Sequence, residues 1–262
     1  MMVGSGLAIV GASLQAVTRN PLADPHLLGI SSGAAFGAIL ALLHTGLFIG
    51  LLTVPLLAFM GALVATTIIL GVSRFSGATS ADRLILTGVA FSFVITTGAN
   101  ILIFLGDVRA THTVVFWMLG GLGFAQWSQL IYPFVILLFC GSWILSQVSI
   151  LNAMTVGDET AYTLGIQVAR FRLIVFVVCA LITGVMVAFS GIIGFVGLMV
   201  PHIVRMLFGG DYIRVIPLSA MLGAILLLWA DIAARTIMAP EDIPIGIAVS
   251  NTHLTLPTKR IE

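Results

Sequence analysis

The sequence predicts an all-α protein, a polytopic transmembrane helical bundle, and three observations carry that prediction. Hydrophobic residues make up 60% of the 262-residue chain and charged ones only 8%, against about 25% charged in a soluble domain. The mean hydropathy is +1.19. The few charges fall between apolar stretches of the length a bilayer demands, about 20 residues per helix. The same composition excludes other classes. A net charge of +1 leaves no basic surface for nucleic acid. Cys140 and Cys179 lie inside apolar runs and read as packing residues. No phosphate-binding GxxxxGK loop, HExxH or GxSxG occurs, so any work this chain does draws its energy from elsewhere. No histidine, cysteine or carboxylate set is spaced to hold a metal, and no cofactor is expected.

Eight spans follow in order. Residues 1–17 are apolar from the first position and lack the basic start of a signal peptide. They read as a helix entered partway, in a chain lacking an N-terminal piece. Residues 18–25, TRNPLADP, break that helix with two prolines. The second span covers residues 26–48 and the third 51–72, with a tight turn at 49–50. A polar loop at 74–83 leads to the fourth span, 84–105, and a short loop at 107–112 comes next. Residues 113–145 exceed one straight span; Gly120, Gly121 and Gly123 divide them into a surface portion and the fifth span. The sixth, seventh and eighth spans are 173–189, 192–207 and 215–237, with the loop GGDYIR at 209–214.

Between the fifth and sixth spans lies the longest polar interruption, residues 151–172, LNAMTVGDETAYTLGIQVARFR. Its centre reads as two short helical turns broken by Gly157 and Gly165. A folded loop at a membrane surface suits docking of a soluble partner; a solvated connector is the plainer reading. If this loop is cytoplasmic, alternation puts Arg19, Arg74, Arg83, Arg170, Arg172, Arg205 and Arg214 inside. Leaving aside the tail, only Arg109 and Arg235 then fall outside, the bias that orients membrane proteins.

Glycines punctuate the spans. Gly29, Gly33 and Gly37 recur every four residues, one helical face that lets backbones approach closely in lipid. Gly191, Gly194 and Gly197 precede Pro201 and make a weak, bendable helix that either lines a pore or packs as a kink. Asp231 and Arg235 stand four apart, so one helix face holds them as a pair or they snorkel to the outer surface. His202, beside Pro201, reads as an interfacial histidine.

Several stretches together resemble the FecCD (BtuC-like) family, the permeases of type II ABC importers for iron siderophores, haem and cobalamin. They are LQAVTRNPLADPHLLGISSGAAFGA (14–38), DRLILTGVA (82–90), FWMLGGL (116–122), SGIIGFVGLMVPHIVR (190–205) and PLSAMLGAILLLWADIAART with EDIPIGI (217–247). The resemblance implies a permease of a bacterial or archaeal cytoplasmic membrane that is not itself an enzyme. Its partners would be cytoplasmic ATPase subunits, a periplasmic or lipid-anchored binding protein, and a second permease, as a homodimer or with a paralogue. It implies that Gly157, Asp158, Glu159, Ala161, Leu164 and Gly165 belong to the loop that couples to the ATPase. Asn20, Pro21 and Leu22, with Ser80, Ala81 and Asp82, would close the cytoplasmic gate. Arg235 would face the binding protein. Gly191, Gly194, Gly197 and Pro201 are candidates for lining the pathway.

Where this chain departs from the family, eight of ten helices are expected. A preceding helix and an Arg-Leu-Pro-Arg stretch are missing, and the polar residues 251–262 replace a final apolar helix. The chain then reads as one permease domain, 1–250, with an atypical tail. The expected cargo is a ferric siderophore or a related chelate, haem or cobalamin. The alternative is a secondary transporter driven by an ion gradient, which would want more intramembrane carboxylates than this chain offers.

Overall fold

Every regular element among the described residues is helical. The computed structural model describes residues 1–75, 81–123, 125–237, 244–246 and 249. Residues 251–262, the atypical tail, lie outside that set. Eleven α-helices succeed one another: α1 (Met2–Thr18), α2 (Ile30–Leu40), α3 (Thr53–Phe75), α4 (Ala81–Leu105), α5 (Val108–Met118), α6 (Ile131–Ser146), α7 (Val148–Val156), α8 (Asp158–Thr163), α9 (Val168–Ser190), α10 (Val196–Phe208) and α11 (Tyr212–Thr236). Five helical stretches are long and apolar enough to cross a membrane: 50–73, 83–105, 127–146, 168–190 and 212–236. Three shorter apolar helices, Met2–Thr18, Ile30–Thr45 and Val196–Phe208, complete the eight expected from the sequence.

The core is built around α1, which is buried along its length except at Met2 and Ser5. A helix that is apolar all round belongs inside a bundle, and α1 packs against α9, α10 and α11. The crossing with α10 is close enough that a Cβ on Gly11 would overlap the Gly197 carbonyl. A second seam joins α2 to α3, where a Cβ on Gly33 would come within 2.5 Å of the Gly61 carbonyl oxygen.

Four local expectations are corrected. Gly29 is not inside the helix that carries Gly33 and Gly37, although all three abut α3: it turns with φ 73° between a 3-10 turn at Pro25–Leu28 and the start of α2. The second span is therefore not one helix from residue 26, and it ends in a π turn at Ala41–Thr45. Residues 108–112, expected as loop, belong to α5; the rings of His112 and Phe116 meet one turn apart, tilted by 41° with centroids at 4.8 Å. The seventh span starts only at Val196, because residues 191–194 leave the helix. The division of 113–145 is as expected, with α5 ending at Met118 and Gly120 at φ 71°.

Candidate functional site

The polar interruption folds into α7, α8 and the first turn of α9. Leu151 and Met154 are fully buried and fasten α7 to the bundle. Asn152 holds it from the side: its Nδ2 donates to Asp211 Oδ1 at 2.7 Å, and its Oδ1 accepts from the Tyr212 backbone N–H at 2.9 Å. Asp211 also accepts from the Ile213 N–H at 3.0 Å, capping α11. The bond from Asn152, and then that from Ile213, hold the Asp211 carboxyl below its ordinary range.

The centre is one six-residue helix, where the glycine spacing predicts two turns. α8 starts after Gly157 and closes at Gly165, whose φ of 80° only glycine adopts freely. The Gly165 N–H donates to Tyr162 O at 2.9 Å and the Ile166 N–H to Ala161 O at 3.1 Å, so the ends of the turn are satisfied. Asp158 and Glu159 occupy the first turn, where carboxylates suit the helix dipole. Ala161 is completely buried and faces the bundle. The opposite side is bare: Val156, Tyr162 and Leu164 are 72, 57 and 66% exposed.

Asp158 fixes the knob to two other elements. Arg172 Nη2 donates to both carboxylate oxygens, at 2.9 and 3.0 Å. The sequence counts Arg172 toward the inner side; there its residue exposure is 2%, and its Nε donates to the Val17 carbonyl at the end of α1, at 3.0 Å. Arg19 approaches from that same helix end, its Nη2 3.6 Å from Asp158 Oδ1.

Arg19 opens the candidate gate loop. It takes a left-handed conformation, φ 51°, and ends α1. Asn20 then folds the chain over itself: its Oδ1 accepts from the Leu22 N–H at 2.9 Å and its carbonyl from the Ala23 N–H at 3.1 Å. Pro21 and Leu22 are exposed. Beyond them Asp24 caps the 3-10 turn by accepting from the His26 N–H at 2.8 Å, and His26 Nε2 meets the Ile193 carbonyl at 3.1 Å. Of the second gate triplet, Ser80 lies outside the described residues; Ala81 and Asp82 begin α4.

A further polar tie joins residues that the sequence does not connect. Gln15 is 4% exposed, donates to Gly197 O at 3.2 Å and accepts from Arg205 Nη2 at 2.6 Å. The only cue in the sequence is one amide in an apolar helix.

The other end of the bundle is different in kind. A cavity of about 750 Å³ opens there, with Pro55, Trp117, Gln126, Gln129, Asp231 and Arg235 in its wall. Arg235 Nε donates to Asp231 Oδ1 at 3.0 Å, the pair expected from their spacing, and its side chain is 45% exposed. Gly191 borders the same cavity, beside the Gly121 N–H bond to Ser190 O at 2.8 Å. Gly194 lies next to the His26 ring, while Gly197 and Pro201 are buried. Arg235 is thus separated by the length of α11 from the Asp158 cluster.

Comparison with known proteins gives this arrangement its family. Residues 1–252 match the FecCD transport family. The chain belongs to the FecCD transport family. Among FecCD-type relatives, the hemin transport system permease protein HmuU of Yersinia pestis is 39% identical, over 95% of this chain and 75% of that protein. The vitamin B12 import system permease protein BtuC of Vibrio vulnificus is 34% identical, over 94% of this chain and 74% of that one. A solved structure described as an ABC transporter of metal-chelate type, facing inward, superposes with a TM-score of 0.88 and 32% identity, covering 97% of this chain and 80% of that chain. This FecCD chain is accordingly an ABC importer permease, a multi-pass protein of the cytoplasmic membrane. It is not an enzyme, since in this family ATP hydrolysis belongs to a separate subunit. That source of energy displaces the ion-gradient alternative.

Proposed function

We propose that this chain is the permease of an importer for a metal chelate, with a ferric siderophore as the first choice and haem or cobalamin as the others, and that the ATPase seats on α8. The observation that carries the reading is the knob itself. Val156 at the end of α7, with Tyr162 and Leu164 on and just past α8, are exposed beside Glu159 and Thr160, and α8 is fastened from behind by Ala161 and Asp158. Aromatic and aliphatic anchors on a rigid element, rimmed by polar groups, suit a soluble protein partner. At the far end, exposed Arg235 suits the acidic surface of a binding protein. The loops at Asn20–Leu22 and Ser80–Asp82 serve as the inner gate, and the cavity bordered by Gly191 is the outer mouth of the path.

The second permease meets α4. Its outer half exposes Thr96, Thr97 and Asn100 among Phe93, Val94 and Phe104. An unpaired amide is costly against lipid, so this face fits a neighbouring subunit or a water-filled path between two copies. Its lack of fixed charge suits a bulky chelate that must slide without sticking.

Vesicles holding the permease, its ATPase and its binding protein test the reading with ferric hydroxamate, haem and cobalamin in turn. One class is taken up, and only with ATP. The double change Tyr162→Ala and Leu164→Ala weakens ATPase binding about tenfold or more and uptake with it, leaving the unfolding temperature of the permease unchanged. Uptake without the ATPase, or uptake untouched by the double change, sinks the proposal.

A further inference from the structure

Resting on the docking role given to α8, we propose that Asp158 is the joint through which movement of the ATPase reaches the inner gate. One carboxylate is shared between a fixed arginine, Arg172, and a movable one, Arg19, the residue directly before the gate loop.

Three elements converge on this carboxylate: α8 through Asp158, α9 through Arg172, and the end of α1 through Arg19. The two arginines are held very differently. Arg172 has a side chain only 3% exposed and is tied to Val17 O, so it cannot swing without breaking into the bundle. The Arg19 side chain is 46% exposed and stands 3.6 Å from Asp158, against 2.9 Å for Arg172. The first contact is a pivot and the second a clasp that solvent weakens and motion opens. A small rotation of α8 about the Asp158–Arg172 bond therefore changes the Asp158–Arg19 gap first.

Arg19 is stiffly joined to the gate loop. Its N–H is bonded back to Ala16 O, and Asn20 folds Leu22 and Ala23 onto itself through its side chain and carbonyl. Residues 19–23 thus form one small unit, and a pull on the Arg19 guanidinium moves Pro21 and Leu22 with it. Stability alone does not require Arg19. Arg172 already contacts both oxygens of Asp158, whose side chain is 30% exposed, and a second, exposed arginine adds little to folding. Arg19 is a positioning residue that acts on the gate through Asp158.

The test reads the gate directly. The permease carrying Leu22→Cys and Cys140→Ser is assembled with its ATPase in vesicles, and the rate of labelling at position 22 by fluorescein maleimide is measured from the inner side. In this parent, trapping with ATP and vanadate changes the rate about fivefold or more. Arg19→Gln abolishes that change, while the ATPase still co-purifies and hydrolyses ATP at the parent rate and the unfolding temperature holds. Arg19→Lys, which keeps the charge, restores part of the response. The proposal is overturned if Arg19→Gln keeps the full response, if Arg19→Lys fares no better than Arg19→Gln, or if Arg19→Gln lowers the unfolding temperature or the yield of complex. A parent that never retains the ATPase overturns both this inference and the docking role beneath it.

Discussion

At the scale of single residues, Arg170 and Arg172 show what burial does to one side-chain type. They stand two positions apart at the start of α9, yet Arg170 is exposed and Arg172 is 2% exposed. Arg172→Met leaves the Val17 carbonyl and Asp158 without their main donor, and breaking such a buried pair costs roughly 3 kcal/mol. Thermal unfolding in detergent should show that loss as a clear fall in Tm, with Arg170→Met changing stability by no more than about 0.5 kcal/mol. A Tm equal to that of the parent in Arg172→Met would falsify the bracing role. In the sequence these two arginines are equal, both counted toward the inner side. Nothing local distinguishes them, because Val17 lies 155 positions away. Gln15 is the same case: its partners on α10 are about 180 positions off and no spacing rule reaches them. Asp231 and Arg235 were readable because their contact is made within one helix turn.

Among the elements, most helix breaks were legible and most helix crossings were not. Gly120 to Gly123 mark where α5 gives way, and Gly157 and Gly165 bound α8, because clustered glycines and glycines in a polar stretch signal turns, here with positive φ at Gly120, Gly157 and Gly165. Charge misled at 107–112, where Arg109 and His112 read as a loop although they begin α5. The glycines of 191–197 carry two meanings that sequence cannot separate. Gly191, at φ 67°, is a turn position, and Gly197 is the flat spot where α10 crosses α1. A test of that crossing is Gly11→Val, which drives a side chain into the Gly197 carbonyl and destabilises the protein by at least about 3 kcal/mol. Gly71→Ala in α3 is the control: nothing lies within 4 Å of its Cβ, and stability holds or rises slightly. Equal stability of the two variants rules out the close crossing.

For the molecule as a whole, the eight apolar helices and the two unlike ends were readable, since hydropathy and the placement of arginine report them directly. The Asp158 cluster, with Arg19 and Arg172, gathers at one end, and Asp231 with Arg235 at the other. Orientation then makes a plain prediction. An impermeant maleimide applied to intact cells of a Cys140→Ser protein labels Trp127→Cys and spares Leu164→Cys, while inside-out vesicles give the reverse. Labelling of both from one side breaks the topology. What composition did not disclose is which helix lies in the middle. That helix is α1, and its neighbours α9, α10 and α11 leave the ribosome long after it. About 150 residues separate it from α9, or about 8 to 30 seconds at ordinary rates of synthesis. Through that interval Gly4, Gly6 and Gly11 lack the residues of α11, α9 and α10 that pack on them in the finished protein. We expect its hold on the bilayer during biogenesis to rest on Leu7, Ile9, Val10, Leu14 and Val17, side chains that fill the interior of the finished protein.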